Sequence, residues 1–195
     1  ICNSPPLCSM IQTGQNVADM YQLQREELDE FAYFSHQKYK KALASGFYNH
    51  EITELTLKEP IFDENGHCDH TKIGKDCVLK VDDGYRESCT IEKLSSLNPI
   101  PGVHSYLKND IIMTAGNSCP TNDGISACLI MSAKKAKALG IKPLARIKAM
   151  TVSGIKPQIM GVGPVISTKK ALKMANIDIK DIDLVEFNEA FASQV

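Results

Sequence analysis

No apolar stretch in the chain approaches the roughly 20 residues that a membrane-spanning helix needs, so no such span is expected. The opening ICNSPPLCSM has neither a basic n-region nor an apolar h-region, so it is not expected to be a secretory signal peptide. An excess of charge of either sign is missing too. Lys and Arg number 22 against 23 Asp and Glu, net charge is −1, and the two signs are interspersed. That balance offers no electrostatic case for nucleic acid or an anionic membrane surface as a partner. Seven cysteines, at positions 2, 8, 68, 77, 89, 119 and 128, form no CxxC pair. Their odd number and scatter predict reduced thiols in a cytoplasmic setting rather than a disulfide framework. His67, Cys68, Asp69 and His70 have metal-like composition, but their spacing fits no structural zinc pattern and they follow an Asn65-Gly66 turn. No metal is expected.

What remains is the composition of an ordinary globular protein, 43% hydrophobic and 23% charged over 195 residues, enough for one or two domains. Helical periodicity runs from Thr13 to Leu23 and more strongly from Arg25 to Ser45. There Leu28, Phe31, Ala32, Ser35, Tyr39, Ala42 and Leu43 recur at intervals of three and four, and Gly46 follows as a C-cap. His36 reads as exposed. Between Glu51 and Leu97 the pattern breaks into short strand-like pieces, ITELTLK and CVLKV, separated by the turn clusters DENGHCDH and DDG. After Gly124 the reading is strand (Ile125 to Met131), helix (AKKAKALG), strand (PLARIKAMTVSG), helix (Pro164 to Met174) and strand (Ile182 to Phe187). This alternation predicts an α/β fold.

The chain ends on a polar pair, Asn188-Glu189, where that last apolar strand is expected to meet a helix, and strand ends of this kind feed side chains into crevices. The string NEAFASQ there resembles the Asn-Glu-Ala-Phe motif of the thiolases. TAGNSCPTNDG (Thr114 to Gly124) and MGVGP (Met160 to Pro164) resemble thiolase segments in the same order, as do MIQTGQNVAD (Met10 to Asp19), the helix from Arg25 and DDGYRESCTIEKLSSLNP. Essentially the whole chain carries the resemblance. It implies an incomplete thiolase-like α/β fold with an α+β loop domain. Residues 1–121 would be that loop domain, 122–142 the last strand and helix of the N-terminal domain, and 143–195 the start of the C-terminal domain.

The resemblance also implies an activity, acyl transfer between coenzyme A thioesters through a cysteine acyl-enzyme, as in forming or cleaving acetoacetyl-CoA or 3-ketoacyl-CoA. Acyl-CoA and CoA are substrates, no prosthetic group is implied, and the family forms dimers or tetramers. Asn188 would hold a water for the oxyanion; Glu189 would serve the following helix as a first-turn carboxylate. Met10, Arg86, Ser118, Cys119, Met160, Ala190 and Phe191 would wall the substrate and CoA, with Arg86 toward the phosphates and Lys93 as a second charge.

Departures from the family pattern are as informative. Cys119 stands where thiolases have a serine that bonds the pantetheine amide, a weaker donor that neighbouring Ser118 would have to replace. Ser9 replaces a histidine before Met10. Neither the nucleophilic Cys-x-Ser-Gly nor the Gly-His-Pro segment is present, so the 195 residues alone are expected to be inactive and to belong to a longer chain or a two-chain assembly. An alternative is a non-catalytic CoA-binding or assembly module. A decarboxylating condensation is disfavoured, because the relatives that perform it carry histidine where Asn188 stands.

Overall fold

A helix that buries three amide side chains, Gln12, Gln15 and Asn16, opens the fold. The computed structural model describes residues 7–195, so the readings made on Cys2 and on the residues before Leu7 lie outside it. Helix α1 (Met10–Tyr21) starts at Ser9, whose Oγ accepts the Gln12 N–H, and ends at Gln22 in the left-handed region. Every residue from Gln12 to Asp19 is buried. Polar side chains survive inside because each finds a partner. The carboxamide of Gln12 donates to His104 O (2.6 Å) and accepts from His104 N (2.9 Å). Gln15 spans Asp110 O (3.1 Å) and Ile112 N (3.0 Å) in the same way, and Asp19 takes the Ser105 hydroxyl at 2.7 Å. These glutamines do for an irregular stretch, 104–112, what a neighbouring strand would do for a regular one.

Helix α2 (Arg25–Ala44) opens with a reciprocal capping box between Gln24 and Glu27, places Glu26 and Glu27 at its positive end, and stops at Ser45 before Gly46 (φ 72°). Its buried face carries Leu28, Asp29 and Ala32. Leu28, Met113 and Phe191 form the core, with Ile11, Leu23, Ile112, Ala190 and Ala192 packed against it. Residues far apart in sequence therefore meet over one side of α2. Gly14 permits this approach: a Cβ there would come within 2.9 Å of Met113 Cε and 3.1 Å of Phe191 Cγ.

A short antiparallel hairpin, β1 (Leu55–Lys58) with β2 (Asp76–Leu79), pairs Leu55 with Leu79, and its turn is organised by Asp63 and by Gly66 at φ 80°. Short helices α3 (Ile91–Ser95) and α4 (Ala133–Ala138) follow, capped by Thr90 and Ser132, then a 3₁₀ segment Pro157–Val162 running into α5 (Gly163–Ala175).

Three expectations fail here. The stretches 125–131, 143–154 and 182–187 form no strand, and their apolar side chains stand in solvent: Ile125 is 95% exposed, Leu144 105% and Leu184 77%. A strand is a non-local object, held by a hydrogen-bonded neighbour. Among the described residues the only ladder is that of β1 with β2. The motif at Asn188 accordingly lies in a segment without regular secondary structure, with a turn at 192–194, and neither the expected strand before it nor a helix after it is formed among the described residues.

Candidate active-site cleft

The turn after Met113 is built around one amide. Asn117, 3% exposed, accepts the Thr114 N–H at its Oδ1 (2.9 Å) and donates through Nδ2 to Ile112 O (2.9 Å) and to Asp29 Oδ1 (3.2 Å). Asp29, 1% exposed, takes Arg25 Nε on its other oxygen at 2.8 Å, and Arg25 reaches on to Leu94 O and Leu97 O. Next along, Ala192 N donates to Asn117 O (3.0 Å) and Cys119 N to Ala190 O (2.9 Å), with Ser118 and Phe191 bridged antiparallel between them. Two motifs more than seventy residues apart are thus laid side by side and tied to α2.

That juxtaposition forms one wall of a cleft of ≈ 860 Å³. Six of the eight sequence-predicted residues line it: Met10, Arg86, Ser118, Cys119, Ala190 and Phe191. Lys93 and Cys89 are there as well. Phe191 serves both readings, as a core residue 7% exposed whose remaining surface faces the cleft. The Ser118 hydroxyl oxygen is buried and has no hydrogen-bond partner among the described residues. Such an atom costs about 1–3 kcal/mol unless something arrives to satisfy it. The Cys119 side chain is exposed.

Asn188 lines a different recess, with Ser35, Lys38, Tyr39, Glu186 and Glu189. A smaller hollow of ≈ 200 Å³, walled by His36, Ser118, Cys119 and Glu189 among others, lies between the two and shares residues with each. Glu189 is bound to the Ser35 hydroxyl at 2.5 Å. The Tyr39 hydroxyl is buried without a partner among the described residues, and burial, then the nearby Asp82 carboxylate and Tyr48, push its pKa up. Met160 joins neither group. It is 43% exposed on the 3₁₀ segment that packs against α1, where Asn16 Nδ2 donates to Gln158 O at 2.8 Å.

His36 corrects the sequence reading. It is half-buried, not exposed, accepts the Arg86 N–H at Nδ1 (3.4 Å), and lies against the Tyr85 ring with centroids 6.0 Å apart. Partial burial, then the Arg86 guanidinium, lower its pKa, while Glu189 raises it. Its place one turn beyond Ala32, on the buried side of α2, was the available signal. Asp29 and Asn117 were missed too; the Arg25–Asp29 spacing of four on one helix pointed to the first.

Among the described residues no group of three or more His, Cys, Asp or Glu is placed to hold a metal ion. The six described cysteines are free. No described helix is long and apolar enough to cross a membrane.

Residues 7–134 match the family "Thiolase, N-terminal domain" and residues 141–195 match "Thiolase, C-terminal domain". The chain is 42% identical over 186 residues to a 3-ketoacyl-CoA thiolase of Bacillus subtilis, covering 95% of this chain and 45% of that protein. A probable acetyl-CoA acyltransferase of Staphylococcus epidermidis is 38% identical over 182 residues, 93% of this chain and 42% of its own. Among solved structures, the Bacillus anthracis acetyl-CoA acetyltransferase superposes with a TM-score of 0.82 at 37% identity, over 95% of this chain and 42% of that one. Human mitochondrial 3-ketoacyl-CoA thiolase gives 0.72 at 32% identity, over 95% and 42%. The chain therefore spans less than half the length of the relatives it matches.

Proposed function

The chain belongs to the thiolase family, and from that premise we propose that it is the part of an acyl-CoA acyltransferase that receives coenzyme A and holds the acyl group for transfer. Substrates are CoA and an acyl-CoA such as acetoacetyl-CoA or a longer 3-ketoacyl-CoA. The observation that carries the reading is the unpartnered Ser118 hydroxyl on a cleft wall shared with Met10, Cys119, Ala190 and Phe191. An amide of the pantetheine arm would satisfy it. Arg86 and Lys93, also on the cleft and in no ion pair among the described residues, suit the phosphates at the other end of the ligand. CoA is a substrate here, and no metal or prosthetic group takes part.

Chemistry needs more than this cleft. The reaction is covalent: in the condensing direction a thiolate attacks the thioester carbonyl, and CoA leaves and takes up a proton as the tetrahedral oxyanion collapses. The base then removes an α-proton from a second acyl-CoA, whose carbanion takes the acyl group and releases the enzyme thiolate; thiolysis runs the same steps in reverse. Asn188, whose recess adjoins the cleft through the His36–Glu189 hollow, orients a water toward that oxyanion. The attacking thiolate and the base come from outside these 195 residues, since neither Cys-x-Ser-Gly nor Gly-His-Pro occurs in them. Residues 1–121 act as the loop domain over the site, 122–142 close the N-terminal domain and 143–195 open the C-terminal one. The exposed apolar runs of 125–131, 143–154 and 182–187 find their sheet neighbours in the remaining thiolase sequence. The assembled enzyme is a cytoplasmic homo-oligomer, a dimer or tetramer.

The test is thiolysis of acetoacetyl-CoA by the full-length protein beside the isolated 195 residues. Turnover by the first and none by the second is expected; turnover by the isolated chain would refute the division of labour. CoA binding without turnover in the full-length protein would favour the non-catalytic module.

A further inference from the structure

The segment from Lys80 to Cys89 has neither helix nor strand, yet it carries Arg86 to the edge of the cleft. A loop of that kind presents a cation at a fixed point only where something outside it holds its backbone. Asn122 Nδ2 donates to Asp83 O at 3.2 Å on one side. On the other, Arg86 N donates to His36 Nδ1, and the Tyr85 ring lies between His36 and Tyr39, with centroids 6.0 and 5.2 Å away. Tyr39 stacks in turn on Tyr48 at 5.2 Å. Helix α2 thus grips the loop through one imidazole and a short run of rings. The hydrogen bond requires the Nδ1 lone pair, so the ring must be neutral with its proton on Nε2.

We propose that His36 is a positioning residue for Arg86: by accepting the Arg86 N–H it fixes the loop so that the guanidinium meets the phosphates of a ligand lying in the cleft. The inference rests on the cleft being a CoA site, and it deepens that reading by naming what makes the anionic end of the site specific. His36 acts through the loop and needs no contact with the reacting atoms. Arg86 and Lys93 are the two cations of the cleft, and neither is neutralised by an ion pair among the described residues. Weakening the grip on the loop should therefore be felt by phosphates alone. The lower reaches of the cleft, at Ser118 and Ala190, are held by the separate Asp29–Asn117 network.

Two variants of the full-length protein separate this from simple support of the fold. His36→Phe keeps a ring against Tyr85 and removes the acceptor; His36→Asn places an amide oxygen near the Nδ1 position and cannot titrate. Affinity for CoA and for phosphate-free pantetheine is measured by titration calorimetry. His36→Phe is expected to weaken CoA by about fivefold to tenfold, the worth of one hydrogen bond, with pantetheine unchanged and His36→Asn close to wild type. Equal losses for both ligands, or an unchanged CoA affinity in His36→Phe, would overturn the proposal. If His36→Phe does not fold, His36→Asn decides: a CoA-specific loss there overturns it. Absence of CoA binding in the wild type would instead remove the functional reading, and this inference with it.

Discussion

Removing the carboxylate of Asp29 should be among the most damaging single changes in the chain. The side chain is 1% exposed and receives two donors, Arg25 Nε at 2.8 Å and Asn117 Nδ2 at 3.2 Å. Hydrogen bonds to a charged group contribute about 1.5–3 kcal/mol each, and stripping one partner from a buried pair costs about 3–5 kcal/mol because the other is left uncompensated. Arg25 keeps 20% of its side-chain surface in water, which recovers part of its solvation. Asp29→Ala should therefore lose about 3 kcal/mol. Asp29→Asn keeps the shape and one acceptor and should lose about half of that. The exposed pair Lys58–Asp76 is the internal control. It is closer, at 2.6 Å, but 56% and 62% exposed, so Asp76→Ala should cost under about 1 kcal/mol. With no tryptophan in the chain, urea unfolding is best followed by far-ultraviolet circular dichroism. A loss below about 1 kcal/mol in Asp29→Ala, or one no larger than in Asp76→Ala, would refute the claim that this carboxylate ties α2 to the Asn117 turn.

Other perturbations separate the scaffold from the site. Gly14→Ala forces a methyl against Met113 and Phe191, and overpacking of that kind should cost about 1–3 kcal/mol in urea unfolding. Ser118→Ala removes a hydroxyl that has no partner, so unfolding should show unchanged or slightly raised stability while CoA affinity falls; a lowered stability would mean that the hydroxyl is used by the fold. Because the His36 pKa is lowered from an ordinary 6.5 by partial burial and then by Arg86, against the pull of Glu189, the unfolded chain takes up the proton first as pH falls. Stability from this group is complete above about 6.5, declines from there to the lower folded pKa, and is flat below. His36→Phe should flatten that part of the pH profile, with Arg86, Glu189, Tyr39 and Tyr85 left in place; superimposable profiles would count against it. In the full-length protein, Asn188→Ala should lower kcat about 100-fold with little change in KM, as loss of an oxyanion donor does.

What the sequence made legible was local. Helix α2 follows from its own spacing of Leu28, Ala32 and Tyr39 and from the glycine that ends it, so it could be read almost to the residue. The hairpin strands were bounded by turn residues whose chemistry is also local, Asp63 with Asn65 and Gly66. Ile125 to Met131 looked as strand-like, but its identity depends on neighbours that no periodicity reveals, and in this structure it stands exposed. The gathering of Met10, Arg86, Ser118, Cys119, Ala190 and Phe191 came from motif resemblance rather than from pattern. Nothing in their spacing says that residue 118 bridges residue 191. His36 was hidden for a related reason, since a polar residue on an amphipathic helix reads as solvated until its loop partner is known.

The central claim is that this cleft receives coenzyme A along the wall formed by Ser118 and Ala190. A crystal structure of the full-length protein soaked with CoA tests it most directly. The pantetheine arm is expected against Ser118, Cys119 and Ala190, with a bond to the Ser118 hydroxyl and the phosphates beside Arg86 and Lys93. CoA bound elsewhere while this cleft stays empty, or bound here with Ser118 still unpartnered, would contradict it.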